Sequence, residues 1–166
     1  MRVMGIDPGI AMIGYGILER GSGQGRCIAY GCIKTESNWT KAERLAKIYH
    51  EVAGIIKRYT PEQVALEELF FNKNAKTALT VGEARGTIIV SAFNAGLNVY
   101  EYTPLQVKQA VAGYGRASKD QIQKVLAMIL GLKDIPKPVD AADALAVAFC
   151  HLHWSKWREI TGRRKV

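Results

Sequence analysis

Apolar residues fall in short, nearly continuous runs along the N-terminal part of the chain, and residues that favour turns bound each run. The runs extend from Arg2 to Ile6, from Met12 to Glu19 and from Cys27 to Thr35, with Asp-Pro-Gly and the glycine-rich segment Gly21–Gly25 between them. Short apolar runs bounded by glycine and proline predict β-strands. Because the connections are short, we expect these three strands to pair in an antiparallel arrangement.

The pattern changes to helical spacing after Thr40, which begins a capping-box sequence with Glu43. Apolar residues then recur every three or four positions, which predicts a helix from Lys41 to Arg58. The run from Val64 to Glu68 predicts a fourth strand, which again ends in acid. A strand, a helix and a strand of these lengths form a right-handed crossover, so we expect the fourth strand to lie parallel to one of the first three.

The rest of the chain alternates in the same way. We predict a helix from Asn74 to Ala95, a strand from Leu97 to Tyr102, a short helix from Thr103 to about Ala112, a helix between Ser118 and Gly131, and a final helix from about Val139 to Trp154. Three consecutive strands, followed by helices that alternate with two more strands, predict an α/β fold in which helices flank a mixed five-stranded sheet.

The chain length of 166 residues suits one ordinary domain. We assign residues 1–155 to this domain and residues 156–166 to a basic C-terminal tail. The whole chain carries a net charge of +8. A surplus of this size favours a polyanionic partner, such as nucleic acid or an acidic lipid surface, although it also serves solubility.

The three cysteines, Cys27, Cys32 and Cys150, are an odd number, which does not fit a disulfide framework. The sequence has no cleavable signal and no apolar run of about 18 residues. We therefore expect a cytoplasmic protein that does not bind membranes. Cys150 adjoins His151 and His153, but these residues crowd one short segment and lack the second pair of ligands that a structural zinc site needs.

Four acidic residues stand in apolar surroundings, where an unpaired charge is costly. Asp7 and Glu67 end two of the predicted strands, and Asp140 and Asp143 occur in the segment VDAADALAVAFC. If the first and fourth strands are adjacent and parallel, Asp7 and Glu67 lie about 5 Å apart at one sheet edge. Asp140 and Asp143 are three positions apart and lie on one face of the last helix, which has no basic residue within a turn of them.

Two of these acids also have a simpler interpretation. Asp7 precedes Pro-Gly and fits a turn residue, and Asp140 fits a helix N-cap. Neither interpretation accounts for Glu67 and Asp143, so we predict that all four carboxylates are catalytic and bind Mg²⁺, or Mn²⁺ in its place, rather than zinc. Two such ions about 3.5 to 4 Å apart suit phosphodiester hydrolysis. The spacing alone does not distinguish Glu67 from Glu68.

Aromatic and basic residues follow Glu67 in the sequence. We predict that Phe70, Phe71 and Lys73 bind DNA, with one of the two phenylalanines packed inside, and that Arg85 and Arg116 are weaker candidates for backbone contacts. Aromatic rings stack on unpaired bases, and basic side chains bind the phosphate backbone. By composition alone, the aromatic residues also fit the core and the basic residues a solvated surface.

The chain resembles the RuvC Holliday junction resolvases from Gly5 to about His151, in the segments GIDPG, ALEELFFNKNAKTALTVGEARG, QVKQAVAGYGRASKDQIQ and DAADALAVAFCH. The resemblance implies a ribonuclease-H-like fold with the strand order 3-2-1-4-5 and a homodimer. It also implies Mg²⁺-dependent nicking of two opposed strands in a four-way DNA junction, which leaves 5′-phosphate and 3′-hydroxyl ends.

The resemblance places the family's acidic residues at the same four positions and selects Glu67 over Glu68. It implies that Lys108 and Lys119 bind DNA phosphate and support catalysis near the scissile bond, and it favours Phe70 as the aromatic wedge. It further implies cleavage at a short thymine-rich sequence and cooperation with a branch-migration complex of RuvA and RuvB type proteins.

Three other functions share parts of this pattern. A ribonuclease-H-like nuclease that acts on RNA or an RNA:DNA hybrid uses the same metal chemistry and is the main alternative. An actin-like phosphotransferase also begins with a strand-end aspartate, but it needs two lobes and a much longer chain. A junction-binding protein without catalysis is disfavoured by the complete set of acids.

Overall fold

The strands of the chain form one mixed sheet in the computed structural model. The structure describes residues 1–21, 25–68 and 75–161, and for residues 75–77 and 156–161 it describes the backbone alone. The strands are β1 (Arg2–Asp7), β2 (Met12–Glu19), β3 (Arg26–Lys34), β4 (Gln63–Glu67) and β5 (Asn98–Tyr102). Their order is β3-β2-β1-β4-β5. Strands β1 to β3 are antiparallel, whereas β4 is parallel to β1 and β5 to β4. The predicted mixed sheet and strand order are confirmed.

The helices lie close to their predicted positions, and the last one is longer than predicted. In the described ranges they are α1 (Lys41–Tyr59), α2 (Ala75–Asn94), α3 (Pro104–Ala112), α4 (Lys119–Ile129) and α5 (Val139–Thr161). Helix α5 continues past the predicted end at Trp154 and across the predicted boundary at residue 155, because no glycine or proline interrupts the chain before Gly162. None of the described helices combines the length and the hydrophobicity that a bilayer span requires.

The sheet has a hydrophobic core on each face, because successive strand residues point to opposite sides. Val3 of β1 belongs to a buried cluster with Leu145 of α5, to which α3 and α4 also contribute. The next residue, Met4, belongs to a second cluster with Ile48 of α1 and Ile88 of α2. All five side chains are fully buried, so the sheet is covered by helices on both faces, as predicted.

Helix α5 lies in close contact with β1 and β2 because those strands present glycines to it. A Cβ atom at Gly5 would overlap the carbonyl oxygen of Ala144, and one at Gly14 would overlap that of Asp140. Glycine in a strand permits such an approach of another backbone. Since Gly14 pairs with Asp7 across β1 and β2, this contact brings the first turn of α5 to the carboxyl end of β1.

Candidate active site

Asp7 and Glu67 lie at the carboxyl ends of adjacent parallel strands. Asp7 is the last residue of β1 and Glu67 the last of β4, and the register pairs Ile6 with Leu66 one position earlier. The final residues of the two strands therefore meet at the same sheet edge, where neighbouring backbones are about 4.8 Å apart. This is the arrangement that the apolar runs predicted.

Asp140 and Asp143 approach the same edge from α5. The helix begins at Val139, so Asp140 stands in its first turn, and the interpretation of this residue as the N-cap was wrong. The contact between Gly14 and the Asp140 backbone brings this turn beside Asp7. Asp143 follows three positions later and lies on the same face of the helix.

The pKa values of Asp7 and Glu67 respond to the neighbouring carboxylates. Burial, reinforced by the negative charges of Glu67, Asp143 and Asp140, raises the pKa of Asp7 to about 7. Burial also raises the pKa of Glu67, and the charge of Asp143 adds to the rise. Like charges act on a carboxyl group in this way at short range. Asp7, Glu67, Asp140 and Asp143 therefore form one group, which we call the acid cluster.

A lysine from another helix reaches into the acid cluster. Lys119 Nζ lies 2.5 Å from Asp143 Oδ2. Burial lowers the pKa of this ammonium group, but the hydrogen bond to Asp143 and the negative charges of Asp143, Asp7 and Asp140 together outweigh burial and raise it. Helix α5 carries no basic residue within a turn of its two acids. The cation therefore comes from α4, across the interface between the two helices.

Helices α3 and α4 bring basic residues to this edge of the sheet. Ser118 caps α4, so Lys119 is the first residue of that helix. Lys108 stands in α3, and its positive charge opposes the rise in the pKa of Glu67. Arg116 is exposed in the loop that joins the two helices. Lys108 and Lys119 thus both act electrostatically on the acid cluster, while their contacts with DNA stay predictions.

The acid cluster has the donor chemistry of a magnesium site, but its side chains do not converge on one point. In the described part of the chain, no group of three or more His, Cys, Asp or Glu side chains is positioned to hold a metal ion. Repulsion between the carboxylates and the pairing of Asp143 with Lys119 are the physical reasons for this spacing. The assignment of the four acids as metal ligands stays a prediction.

Arg85, which we predicted to contact DNA, is bound within the protein. Its Nη1 donates a hydrogen bond of 2.5 Å to the carbonyl oxygen of Glu67, and its Nη2 lies 2.5 Å from Oε1 of Glu101. The arginine side chain is 13% exposed. Sequence reasoning did not single out Glu101, although a charged residue within the short strand β5 was a visible signal.

The remaining predicted DNA-binding residues follow β4. Phe70, Phe71 and Lys73 lie outside the described residues, so their contacts stay predictions. The chain is described up to Glu68, whose N–H donates a hydrogen bond of 2.9 Å to the carbonyl oxygen of Tyr102. The predicted DNA-binding segment begins at Phe70, two residues after Glu68 in the sequence.

His151, which adjoins Cys150 in the sequence, is part of the core. It is buried, its Nδ1 lies 2.8 Å from the Tyr102 hydroxyl, and its Nε2 lies 2.6 Å from Oε1 of Gln63. Both ring nitrogens are thus within hydrogen-bonding distance of strand residues. The histidine links α5 to β4 and β5.

Comparison with known proteins identifies the family. A family model described as crossover junction endodeoxyribonuclease RuvC matches residues 3–151. The chain belongs to the RuvC family. A RuvC of Moorella thermoacetica is 53% identical and aligns with 98% of this chain and 100% of its own length. A RuvC of Caldicellulosiruptor saccharolyticus is 58% identical over 92% of each chain.

Solved structures agree with this assignment. The structure of Thermus thermophilus RuvC superposes with a TM-score of 0.87 at 41% identity and covers 95% of this chain and 96% of its own. The RuvC of the same organism in complex with a Holliday junction substrate superposes with a TM-score of 0.86 at 38% identity, with the same coverage. The resemblance to RuvC and the ribonuclease-H-like fold are therefore confirmed.

Proposed function

We propose that this protein resolves four-way DNA junctions in recombination and repair by paired, metal-dependent hydrolytic nicks that leave 5′-phosphate and 3′-hydroxyl ends. The acid cluster carries the proposal, since burial and the neighbouring carboxylates together raise the pKa of Asp7 to about 7. Membership of the RuvC family supports the choice of substrate, because the T. thermophilus RuvC was solved with a Holliday junction.

The donor set of the acid cluster fits a hard divalent cation. Its ligands are all carboxylate oxygens, which Mg²⁺ and Mn²⁺ prefer. Carboxylates whose pKa values rise through mutual repulsion gain from a nearby positive charge. We therefore infer that Asp7, Glu67, Asp140 and Asp143 hold two Mg²⁺ ions. When bound, the ions supply water activation and stabilise the leaving oxygen of the phosphodiester.

The lysines beside the acid cluster supply fixed positive charge. The hydrogen bond with Asp143 and the negative charges of the acid cluster together raise the pKa of Lys119 despite burial, and the charge of Lys108 acts on Glu67. Positive groups that are already in place stabilise the charge that develops on a phosphoryl group. We infer that both lysines bind the phosphate at the scissile position.

In this proposal, residues around the acid cluster bind the junction. Arg116 is exposed between the two helices that carry the catalytic lysines, where it can contact the DNA backbone. Lys73 adds a phosphate contact, while one of Phe70 and Phe71 stacks on unpaired bases at the crossover and the other packs within the protein. Phe70 is the preferred wedge. The net charge of +8 supports binding to a polyanion.

A homodimer matches the two cuts that resolution requires. The outer face of α2 exposes Leu79, Gly86, Val90 and Phe93, which recur at intervals that place them on one side of a helix. Phe93 is 76% exposed and Leu79 is 65% exposed, and the glycine permits close approach of another helix. We infer that this face packs against a second copy, so that each protomer cuts one of two symmetry-related strands.

The partners and the compartment follow from the same proposal. We infer that the protein works with a branch-migration complex of RuvA and RuvB type proteins, which delivers the junction. The three free thiols Cys27, Cys32 and Cys150 agree with a reducing compartment. We therefore assign the protein to the cytoplasm.

Substrate choice tests this function. Purified protein is incubated with a synthetic four-way junction, a linear duplex of the same sequence and an RNA:DNA hybrid, each in Mg²⁺ and in a chelator. We expect paired nicks in the junction that need the metal. Equal cutting of the hybrid would favour the ribonuclease alternative instead.

A further inference from the structure

One arginine connects three elements at the end of the strand that carries Glu67. Arg85 of α2 donates to the carbonyl oxygen of Glu67 on β4 at 2.5 Å, and its second terminal nitrogen lies 2.5 Å from the Glu101 carboxylate on β5. The arginine side chain is 13% exposed, and that of Glu101 is 43% exposed. The guanidinium geometry fixes the angle between these two bonds.

These contacts hold one peptide unit from both sides. The carbonyl oxygen of Glu67 and the N–H of Glu68 belong to the same peptide group. Arg85 binds the carbonyl oxygen, and the carbonyl of Tyr102 accepts a hydrogen bond of 2.9 Å from the N–H. Because a peptide group is planar, two opposite hydrogen bonds fix its orientation and thereby the direction in which the Glu67 side chain leaves the backbone.

Glu67 requires such support because its neighbours repel it. Asp7 and Asp143 carry the same charge at short range. On the side of β1 the ladder ends at Leu66, so among the neighbouring strands only β5, which pairs with Glu67 through Tyr102, still holds the end of β4. Without another restraint, the terminal peptide can rotate and let the carboxylate move away from the acid cluster.

We propose that Arg85 is a positioning residue, whose guanidinium, oriented by Glu101, fixes the Glu67–Glu68 peptide and keeps the Glu67 carboxylate in the acid cluster. This inference rests on the catalytic role proposed for Glu67. It replaces the expectation that Arg85 binds a phosphate. Residues that orient metal-binding side chains through hydrogen bonds typically change activity tenfold to a hundredfold when they are replaced.

A phosphate-binding role and a positioning role for Arg85 predict different results for binding and cleavage. Loss of a phosphate contact weakens junction binding. It also reduces the slope of log affinity against log salt concentration by about one. Loss of a positioning contact leaves binding and its salt dependence unchanged and slows cleavage of junction that is already bound. Replacement of Glu101 separates the roles further. If Arg85 binds phosphate, loss of the nearby negative charge should strengthen DNA binding. If Arg85 is a positioning residue, the same loss frees its guanidinium and should slow cleavage.

The test uses Arg85→Met, Arg85→Lys and Glu101→Gln, with Arg2→Met as the matched control. Arg2 makes the same pair of contacts far from the acid cluster, with Tyr59 O at 2.5 Å and Glu19 Oε1 at 2.8 Å. Junction affinity is measured in a chelator over a range of salt concentrations. Cleavage of pre-bound junction is then followed in a single turnover after Mg²⁺ is added.

We expect Arg85→Met to cleave about tenfold to a hundredfold more slowly, with a junction Kd within about twofold of the wild type. Arg85→Lys should recover part of the rate, because lysine can bind the carbonyl but cannot bridge to Glu101 in the same geometry. Glu101→Gln should also slow cleavage, whereas Arg2→Met should cleave at the wild-type rate.

Wild-type cleavage by Arg85→Met, or weaker binding with a smaller salt dependence, would overturn the inference. If thermal unfolding shows that Arg85→Met does not fold, Glu101→Gln decides, and a wild-type rate for that variant rejects the positioning role. Glu67→Gln is assayed in parallel. A wild-type rate for Glu67→Gln rejects the proposed function, while an inactive Glu67→Gln beside a fully active Arg85→Met rejects only the role of Arg85.

Discussion

The ammonium group of Lys119 lies 2.5 Å from a carboxylate oxygen of Asp143, although the two residues stand on different helices. This ion pair joins the start of α4 to the first turns of α5 and places a positive charge among four acids. The four carboxylates of the acid cluster can bind a cation, and the adjacent ammonium group of Lys119 can bind a phosphate. Both are needed for hydrolysis of a phosphodiester.

Removal of the Lys119 charge should slow catalysis more than it affects folding. We expect Lys119→Met to cleave a four-way junction about tenfold to a thousandfold more slowly, because a positive group near the scissile phosphate is lost. Lys124→Met is the matched control, since Lys124 forms an exposed ion pair with Asp120 on the same helix at 2.7 Å. Equal rates for the two variants would exclude a catalytic role for Lys119.

The acid cluster should lower the stability of the folded protein when no metal is added. Asp7 has a pKa of about 7 in the folded protein, against an ordinary value of 3.8. Between these values the folded protein holds a proton that the unfolded chain has released, so the free energy of unfolding falls as the pH rises through this window. Above pH 7 the full cost of the buried charge remains.

We therefore expect Asp7→Asn to be more stable than the wild type at pH 8 in a chelator, by on the order of 2 kcal/mol. At pH 4 the difference should shrink, because Asp7 is then protonated in the folded protein. Thermal unfolding at the two pH values measures it. A variant that is less stable at pH 8 would show that the charge of Asp7 is not destabilising.

The apolar face of α2 should control assembly. We expect Phe93→Glu to shift the protein from dimer to monomer in sedimentation experiments, because it places a charge beside the exposed apolar residues Leu79 and Val90. The monomer should nick single strands of a junction without pairing the cuts. Met128→Lys is the control, since Met128 is 80% exposed on α4, away from this face. Dimers of undiminished stability in Phe93→Glu would place the interface elsewhere.

Phe70 and Phe71 should differ in their effect on DNA binding. We expect Phe70→Ala to weaken junction binding by about 1 to 3 kcal/mol, the contribution of one stacked base, and to leave duplex binding nearly unchanged. Phe71→Ala serves as the comparison for a residue that packs within the protein. Fluorescence of a base analogue at the crossover reports the stacking, and a larger effect of Phe71→Ala would exchange the two roles.

The strand-end acids could be predicted from the sequence because the relevant geometry is local and repetitive. An apolar run that ends in an acid predicts a carboxylate at a sheet edge, and parallel pairing of β1 with β4 brings two such ends together. The order of the sheet followed from family resemblance and is confirmed. Glu67 could not be separated from Glu68 by pattern, and its electrostatic coupling to Asp7 supports the choice of Glu67.

Contacts between distant elements could not be predicted in this way. The pair of Lys119 with Asp143 depends on how α4 packs beside α5, and a sequence pattern specifies the buried face of a helix but not its neighbour. Arg85 had the composition of a DNA contact, yet the position of α2 over β4 and β5 directs it to Glu67 and Glu101. The end of α5 was predicted too early because nothing in the sequence before Gly162 stops a helix.

The role of the acid cluster is tested by comparing binding and cleavage of one substrate by Asp7→Asn, with Asp134→Asn as a control for the loss of an exposed acid. A synthetic four-way junction is bound in a chelator, and Mg²⁺ is then added to start a single turnover. We predict that Asp7→Asn binds the junction with wild-type affinity and leaves it uncut, while Asp134→Asn introduces paired nicks at the wild-type rate. Cleavage by Asp7→Asn at close to the wild-type rate would contradict the assignment of Asp7 to the active site.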